Sequence, residues 1–257
     1  MITVEVNKSS SSSSVAAAKA SQISSTSLGS PEFKKDYNLR YPYIAGAMYQ
    51  GIASKEMVVK IGKAGMMGFF GTGGLGFPQI EEAIQFIQRE LPEGSAYGMN
   101  LVCNLVDLQM EEKTVDLFLT HRVKHIEASA FLSITPALVK YRAKGLTRDN
   151  SGKVVPKNKI IAKVSRPELG EAFLSPAPER IVARLLSGKK ISSEEVGLLK
   201  EIPMADDICI EADSGGHTDG GVAYTLMPAM IKLRDELMQK YQYCKQVRIG
   251  AAGGIGT

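Results

Sequence analysis

From Tyr41 onward, short apolar runs alternate with stretches whose apolar residues recur at helical spacing. Residues 43–48 read as a first strand with its exit turn. Residues 55–64 read as the helix after it, with Met57, Val58 and Ile61 on one face. A second strand over 66–70 runs into Gly71-Thr72-Gly73-Gly74-Leu75-Gly76, and a second helix over 80–90 carries Ala83, Ile84 and Ile87 in register before Pro92 and Gly94 close it. Residues 96–101 and 125–130 follow as strands three and four, with a helix over 111–120 between them. Strands five, six and seven fall at 159–164, 207–212 and 247–251. Repeated strand, helix, strand units imply right-handed crossovers and a parallel sheet. Seven of them predict an α/β fold, a TIM (β/α)8 barrel truncated after strand seven. The competing architecture is a doubly wound open sheet. It is disfavoured by the polar or glycine motifs at nearly every strand's carboxyl end, where barrel active sites lie.

The connection after strand five is unusually long. Residues 166–205 contain a helical pattern over 179–186, then Ser192-Ser193-Glu194-Glu195, a capping-box spacing that starts a second helix through Leu199. This helical insertion between strands five and six is expected at the active-site face, as a decorative hairpin, a lid or a docking surface. Residues 1–32 form a different polymer: serines run unbroken from Ser9 to Ser14 and little bulky apolar surface accompanies them, so a disordered tail precedes a barrel domain over 33–257.

Two glycine-rich loops carry the clearest chemistry. Ile208-Cys209-Ile210 leads into Asp213-Ser214-Gly215-Gly216-His217, and Val247-Arg248-Ile249 leads into a run from Gly250 to Gly256. Paired glycines at a strand's carboxyl end let backbone N–H groups approach a phosphate closely. No Gly-x-Gly-x-x-Gly element for a pyrophosphate accompanies them, which favours a cofactor with a single phosphate. The second loop reaches Thr257, the last residue. An eighth strand with its share of the phosphate site is therefore expected in a longer protein, and a chain without it is expected to be marginally stable, poor in cofactor and prone to associate.

Composition changes this picture little. A chain of 257 residues, 44% hydrophobic and 23% charged, can bury the core of one barrel. A net charge of +4 with scattered lysines and arginines and no tryptophan argues against nucleic acid as a partner. No apolar stretch suits a membrane span and no leader is recognisable, so a cytoplasmic enzyme is expected. Cys103, Cys209 and Cys244 show no metal or redox spacing.

Tyr41 to Leu75, with Ala45-Gly46-Ala47-Met48 and Gly65-Met66-Met67-Gly68-Phe69-Phe70-Gly71, resembles the trans-acting enoyl reductases of polyketide and polyunsaturated fatty acid synthases. So do Glu211-Ala212-Asp213-Ser214-Gly215-Gly216-His217-Thr218-Asp219 and the run from Gly250 to Gly256. These enzymes form part of a wider FMN-dependent group that includes nitronate monooxygenases. The resemblance spans about Phe33 to Thr257, and its most specific part is the Ser-Gly-Gly-His-Thr-Asp stretch. It implies an FMN-containing barrel that takes hydride from NADPH and passes it to an enoyl thioester on an acyl carrier protein. Nitronate oxidation, or a non-catalytic carrier-binding module, are the alternatives, and homo-oligomers are compatible with either.

Carried over by position, the resemblance implies that Gly215, Gly216, Gly253 and Gly254 hold the FMN phosphate. Gly46, Ala47 and Met48 form the turn beneath the ring, and Asn100 hydrogen-bonds the ring. Lys163 either points at the ring's pyrimidine edge or is a buried lysine paired with Glu211 or Asp213. His217 matches the active-site histidine; a donor with a pKa near neutrality suits protonation of the enoyl α-carbon. His121 and His125 are expected to be satisfied structural residues. No metal is expected.

Overall fold

The computed structural model describes residues 24–104, 107–212 and 220–252. Seven strands form one sheet in the order β1 (Ile44–Ala45), β2 (Met67–Phe70), β3 (Gly98–Val102), β4 (His125–Ser129), β7 (Lys159–Val164), β8 (Asp207–Glu211) and β9 (Arg248–Ala252). Every pairing in it is parallel. The spatial order follows the chain order without reversal, whereas a doubly wound sheet needs a point at which the order switches. The sheet is therefore a curled, singly wound TIM-type barrel wall. Between β1 and β9 no pairing is made among the described residues.

Helices α2 (Lys55–Lys63), α3 (Phe77–Glu90), α4 (Leu108–Thr120), α5 (Pro136–Ala143), α6 (Pro167–Leu174) and α9 (Ala223–Tyr241) fill the crossovers. Local signals start several of them: Ser54, Asp107 and Thr135 each accept backbone N–H groups of the first turn, and Pro136 and Pro167 occupy first positions. On the central strands the period of two is strict. Met99, Leu101, Ile126, Ala128, Ile160, Ala162, Ile208 and Ile210 pack outward against the helices in the main core, and the intervening residues face the barrel interior.

The sequence pattern leaves several elements unassigned, α6 among them. In α5, Ala137 through Ala143 are all buried, so no polar face produces a helical period. The antiparallel hairpin β5 (Leu146–Arg148) and β6 (Val154–Pro156) turns at Asp149, whose carboxylate accepts the Ser151 and Lys153 N–H groups, with Gly152 at φ +81°. Helix α9 is another, packed against α6.

The insertion contains α7 (Glu179–Ser187) and α8 (Ser193–Leu199), and its capping box forms: Ser192 Oγ accepts the Glu195 N–H and Glu195 Oε2 accepts the Ser192 N–H at 2.7 Å. Its expected location at the active-site face is wrong. Both helices come after α6, in the leg that returns to the start of β8, and they pack on α5 and on the β5–β6 hairpin. Lys144 at the end of α5 pairs with Glu195, and Arg148 pairs with Glu201. Buried Arg142 donates to the Pro203 carbonyl and to Asp206, which also accepts the Ile160 N–H at the start of β7. The hairpin thus braces the barrel's amino-terminal side.

Ahead of β1, α1 (Pro31–Tyr37) begins at a Ser30 cap, two residues before the boundary expected between tail and domain. It closes the amino-terminal end of the barrel. Tyr37, 2% exposed, packs with Met67, Phe69, Ala96 and Ile161 in a second, interior core.

Candidate active site

The interior face of the sheet is layered. Near the amino end lie His125, Lys159, Asp207 and Arg248, met from below by Tyr37. Phe69, Ile161 and Cys209 form an apolar middle. Above it, at the carboxyl end where barrel chemistry is housed, lie Asn100 of β3, Glu127 of β4, Lys163 of β7 and Glu211 of β8.

Glu127 organises the upper layer. Its Oε2 accepts the backbone N–H of Ala47 at 2.9 Å, and Asn100 Nδ2 lies 3.4 Å from the same oxygen. Asn100 Nδ2 also donates to the Glu127 carbonyl at 3.1 Å and to Ser129 Oγ at 2.9 Å, while the Asn100 backbone carbonyl receives the Thr72 hydroxyl. Lys163 Nζ stands 2.8 Å from Glu211 Oε1 and 3.7 Å from Glu127 Oε1. The Glu127 side chain is only 4% exposed, against 16% for Glu211 and 17% for Lys163.

Glycine is required at two points above this layer. At Gly46 a Cβ would come within 3.1 Å of Glu127 Oε1 and 3.9 Å of Lys163 Nζ. At Gly71 a Cβ would sit 1.6 Å from the Met48 carbonyl oxygen, an impossible contact, so the turn after β1 is seated directly on the end of β2.

Burial pushes the Glu127 carboxyl above its usual range, against the opposing pull of Lys163 and the Ala47 N–H. For Lys163 burial disfavours the charge, but the two neighbouring carboxylates outweigh it and its pKa rises. Burial also pushes the Cys209 thiol up to about 12, with Glu127 adding to the effect, so this cysteine is a neutral, inert neighbour.

Four of the residues singled out from sequence meet here, Gly46, Ala47, Asn100 and Lys163, while Met48 lies next in the same turn with its carbonyl against Gly71. Lys163 is paired with Glu211, one of the two arrangements foreseen for it. Gly215, Gly216, His217, Gly253 and Gly254 lie outside the described residues. His121 bonds Glu81 and His125 bonds the Tyr97 carbonyl, as satisfied structural histidines. Glu127 was missed. The signal was available: in His125-Ile126-Glu127-Ala128-Ser129 an acid occupies the middle of an apolar strand, at an alternate position that faces inward.

Among the described residues no cluster suits a metal, and no helix is long and apolar enough to cross a membrane.

A parallel barrel with a polar, charge-paired layer at its carboxyl mouth is the architecture of a TIM-barrel enzyme site. No family model matches the chain. It is 63% identical over 235 residues to the polyketide biosynthesis protein PksE of Bacillus subtilis, covering 91% of this chain and 31% of that protein. It is 46% identical over 230 residues to ThaF, a polyketide biosynthesis protein of Burkholderia thailandensis, covering 90% and 20%. A polyunsaturated fatty acid synthase subunit of Thraustochytrium is 44% identical over 231 residues, with 89% and 15% covered. The chain therefore spans under a third of the curated relatives it matches. Among solved structures, the enoyl reductase domain of MlnA, from the macrolactin cluster of Bacillus amyloliquefaciens, superimposes with a TM-score of 0.87 at 47% identity, over 90% of this chain and 52% of that one. FabK of Thermotoga maritima, at 15% identity and a TM-score of 0.51, shares the fold. The chain is thus similar to polyketide and polyunsaturated fatty acid synthase proteins and to a solved enoyl reductase domain, in keeping with the resemblance its motifs carry.

Proposed function

We propose that this chain forms the flavin-binding portion of an enoyl reductase that reduces the α,β double bond of an enoyl thioester carried on an acyl carrier protein, with NADPH as hydride source. The observation that carries the reading is the meeting of Gly46, Ala47, Asn100 and Lys163 at one barrel mouth, in a chain 47% identical to an enoyl reductase domain. The polar set suits the pyrimidine edge of FMN, which carries carbonyl oxygens and a ring N3–H. Lys163 has a third ammonium hydrogen beyond its two carboxylate neighbours, Asn100 keeps its amide oxygen as an acceptor while Glu127 and Ser129 take its Nδ2 hydrogens, and Gly46 leaves the space over them clear of side chain. When bound, FMN would supply the hydride relay between nicotinamide and substrate.

The protein's part is positional and electrostatic. Asn100 Nδ2 is held by the Glu127 carbonyl and Ser129 Oγ, so its amide is fixed before any ligand arrives. Lys163 places a positive charge where the pyrimidine edge would gather negative charge. Gly215, Gly216, Gly253 and Gly254 are the residues the sequence offers for the phosphate. His217 is proposed to donate to the thioester oxygen or the α-carbon. The relatives' roles in polyketide and polyunsaturated fatty acid synthesis support a carrier-bound substrate.

The test is direct. Purified protein should release FMN, identified by chromatography, and oxidise NADPH in the presence of a crotonyl thioester. His217→Ala should keep its flavin and lose roughly 10²-fold or more in turnover. An unchanged rate would remove His217 from the mechanism, and a colourless protein that takes up no added FMN would overturn the cofactor.

A further inference from the structure

Two carboxylates share one ammonium in the upper layer. With Glu127, Lys163 and Glu211 all ionised, the layer carries one net negative charge inside the barrel. The groups that face Glu127 are Lys163 from β7, Glu211 and the neutral Cys209 thiol from β8, the Asn100 amide from β3 and the Ala47 N–H from the turn after β1. Lys163 stands closer to Glu211, at 2.8 Å, than to Glu127, at 3.7 Å, and Glu127 is the more deeply buried acid. If further negative charge enters this space, Glu127 is the group that yields its charge by taking a proton, since like charges in a poorly solvated site raise a carboxyl pKa. Glu211 keeps its close ion pair.

We infer that Glu127 is a redox-linked proton acceptor, protonated as a flavin held over it is reduced. The inference rests on the flavin reading above. In the balanced step a nicotinamide or dithionite supplies two electrons. The flavin takes them with one proton at N5 and becomes an anion. One further proton from solvent adds to the Glu127 carboxylate, giving a neutral acid, so the site's net charge after reduction matches its charge before it.

The experiment measures the flavin midpoint potential against pH by dye equilibration in the wild-type protein and in Glu127→Gln. The wild type should take up two protons per electron pair across neutral pH and Glu127→Gln one, a shallower dependence. Equal slopes would overturn the inference while leaving flavin binding intact. Should Glu127→Gln fold poorly, reduction-induced infrared difference spectra of the wild type, with and without isotopic glutamate labelling, give an independent reading. A labelled carboxylic-acid band should appear on reduction, and its absence would refute proton uptake. Failure of the wild type to bind FMN would instead sink the parent reading.

Discussion

The Tyr37 hydroxyl donates to Asp207 Oδ2 at 2.6 Å, joining α1 to the first residue of β8 across 170 positions of sequence. Arg248 of β9 reaches the same carboxylate and also Asp36, so the helix, β8 and β9 are tied together at the amino end of the barrel. Tyr37→Phe keeps the ring against His125 and under the Lys159 ammonium, and removes only the hydroxyl. A hydrogen bond to a charged group contributes about 1.5–3 kcal/mol, so Tyr37→Phe should lower unfolding stability by about 2 kcal/mol. Tyr37→Ala, which also empties interior volume, should cost about 3–5 kcal/mol. Urea titrations of both variants check the ordering.

His125 makes this end of the barrel sensitive to acid. Burial holds its pKa at about 4, below the ordinary 6.5, and the ring is neutral with Nδ1 donating to the Tyr97 carbonyl. The unfolded chain binds a proton near pH 6.5 and the folded chain only near pH 4. Stability is therefore complete above pH 6.5 and falls as pH drops toward 4, by at most about 1.4 kcal/mol per pH unit. His125→Asn can preserve the bond to Tyr97 without titrating, and should flatten that part of the profile of stability against pH.

Arg142 argues for the insertion as a brace. Its side chain is 2% exposed and meets the Asp206 carboxylate at 2.6 Å and the Pro203 and Asn158 carbonyls. Arg142→Met would strand a buried anion and should cost about 3–5 kcal/mol, part of which Asp206→Asn in the same chain should restore. Deleting residues 176–203 should likewise depress the melting temperature. It should leave the preference between carrier-bound and small enoyl thioesters unchanged in any molecule that still folds.

What the sequence reveals and hides follows from how each element contacts water. Strands buried on both faces and helices with one wet face leave clear periods, which is why 159–164 is read to the residue and α2 and α3 to within a few. Helix α5 is wrapped by α4, α7 and α8 and leaves none. The insertion's helices are legible from Ser192 and Glu195, but their side of the barrel depends on Arg142, Lys144 and Arg148, contacts made with residues distant in the chain. At the site, small and amide residues at strand ends mark Gly46, Ala47, Met48 and Asn100. Glu127 escapes because its meaning depends on two partners, Ala47 and Lys163, supplied by other strands.

Lys163 is the test of that three-way dependence. It is the cation beside both Glu127 and Glu211, so Lys163→Met leaves two acids in a layer that is mostly closed to water. Breaking a buried pair from one side typically costs about 3–5 kcal/mol, and the protein can relieve it only by protonating an acid. Glu127 is the one to take the proton, being the more buried and already raised toward neutrality. Lys163→Met should therefore be more stable at mildly acidic pH than at neutral pH, the reverse of the trend His125 imposes. Adding Glu127→Gln should recover stability at neutral pH and erase the difference, because the amide carries no charge yet can still accept the Ala47 N–H. Equal pH profiles for the single and double variants, measured by denaturant unfolding, would mean that Glu211 rather than Glu127 carries the uncompensated charge.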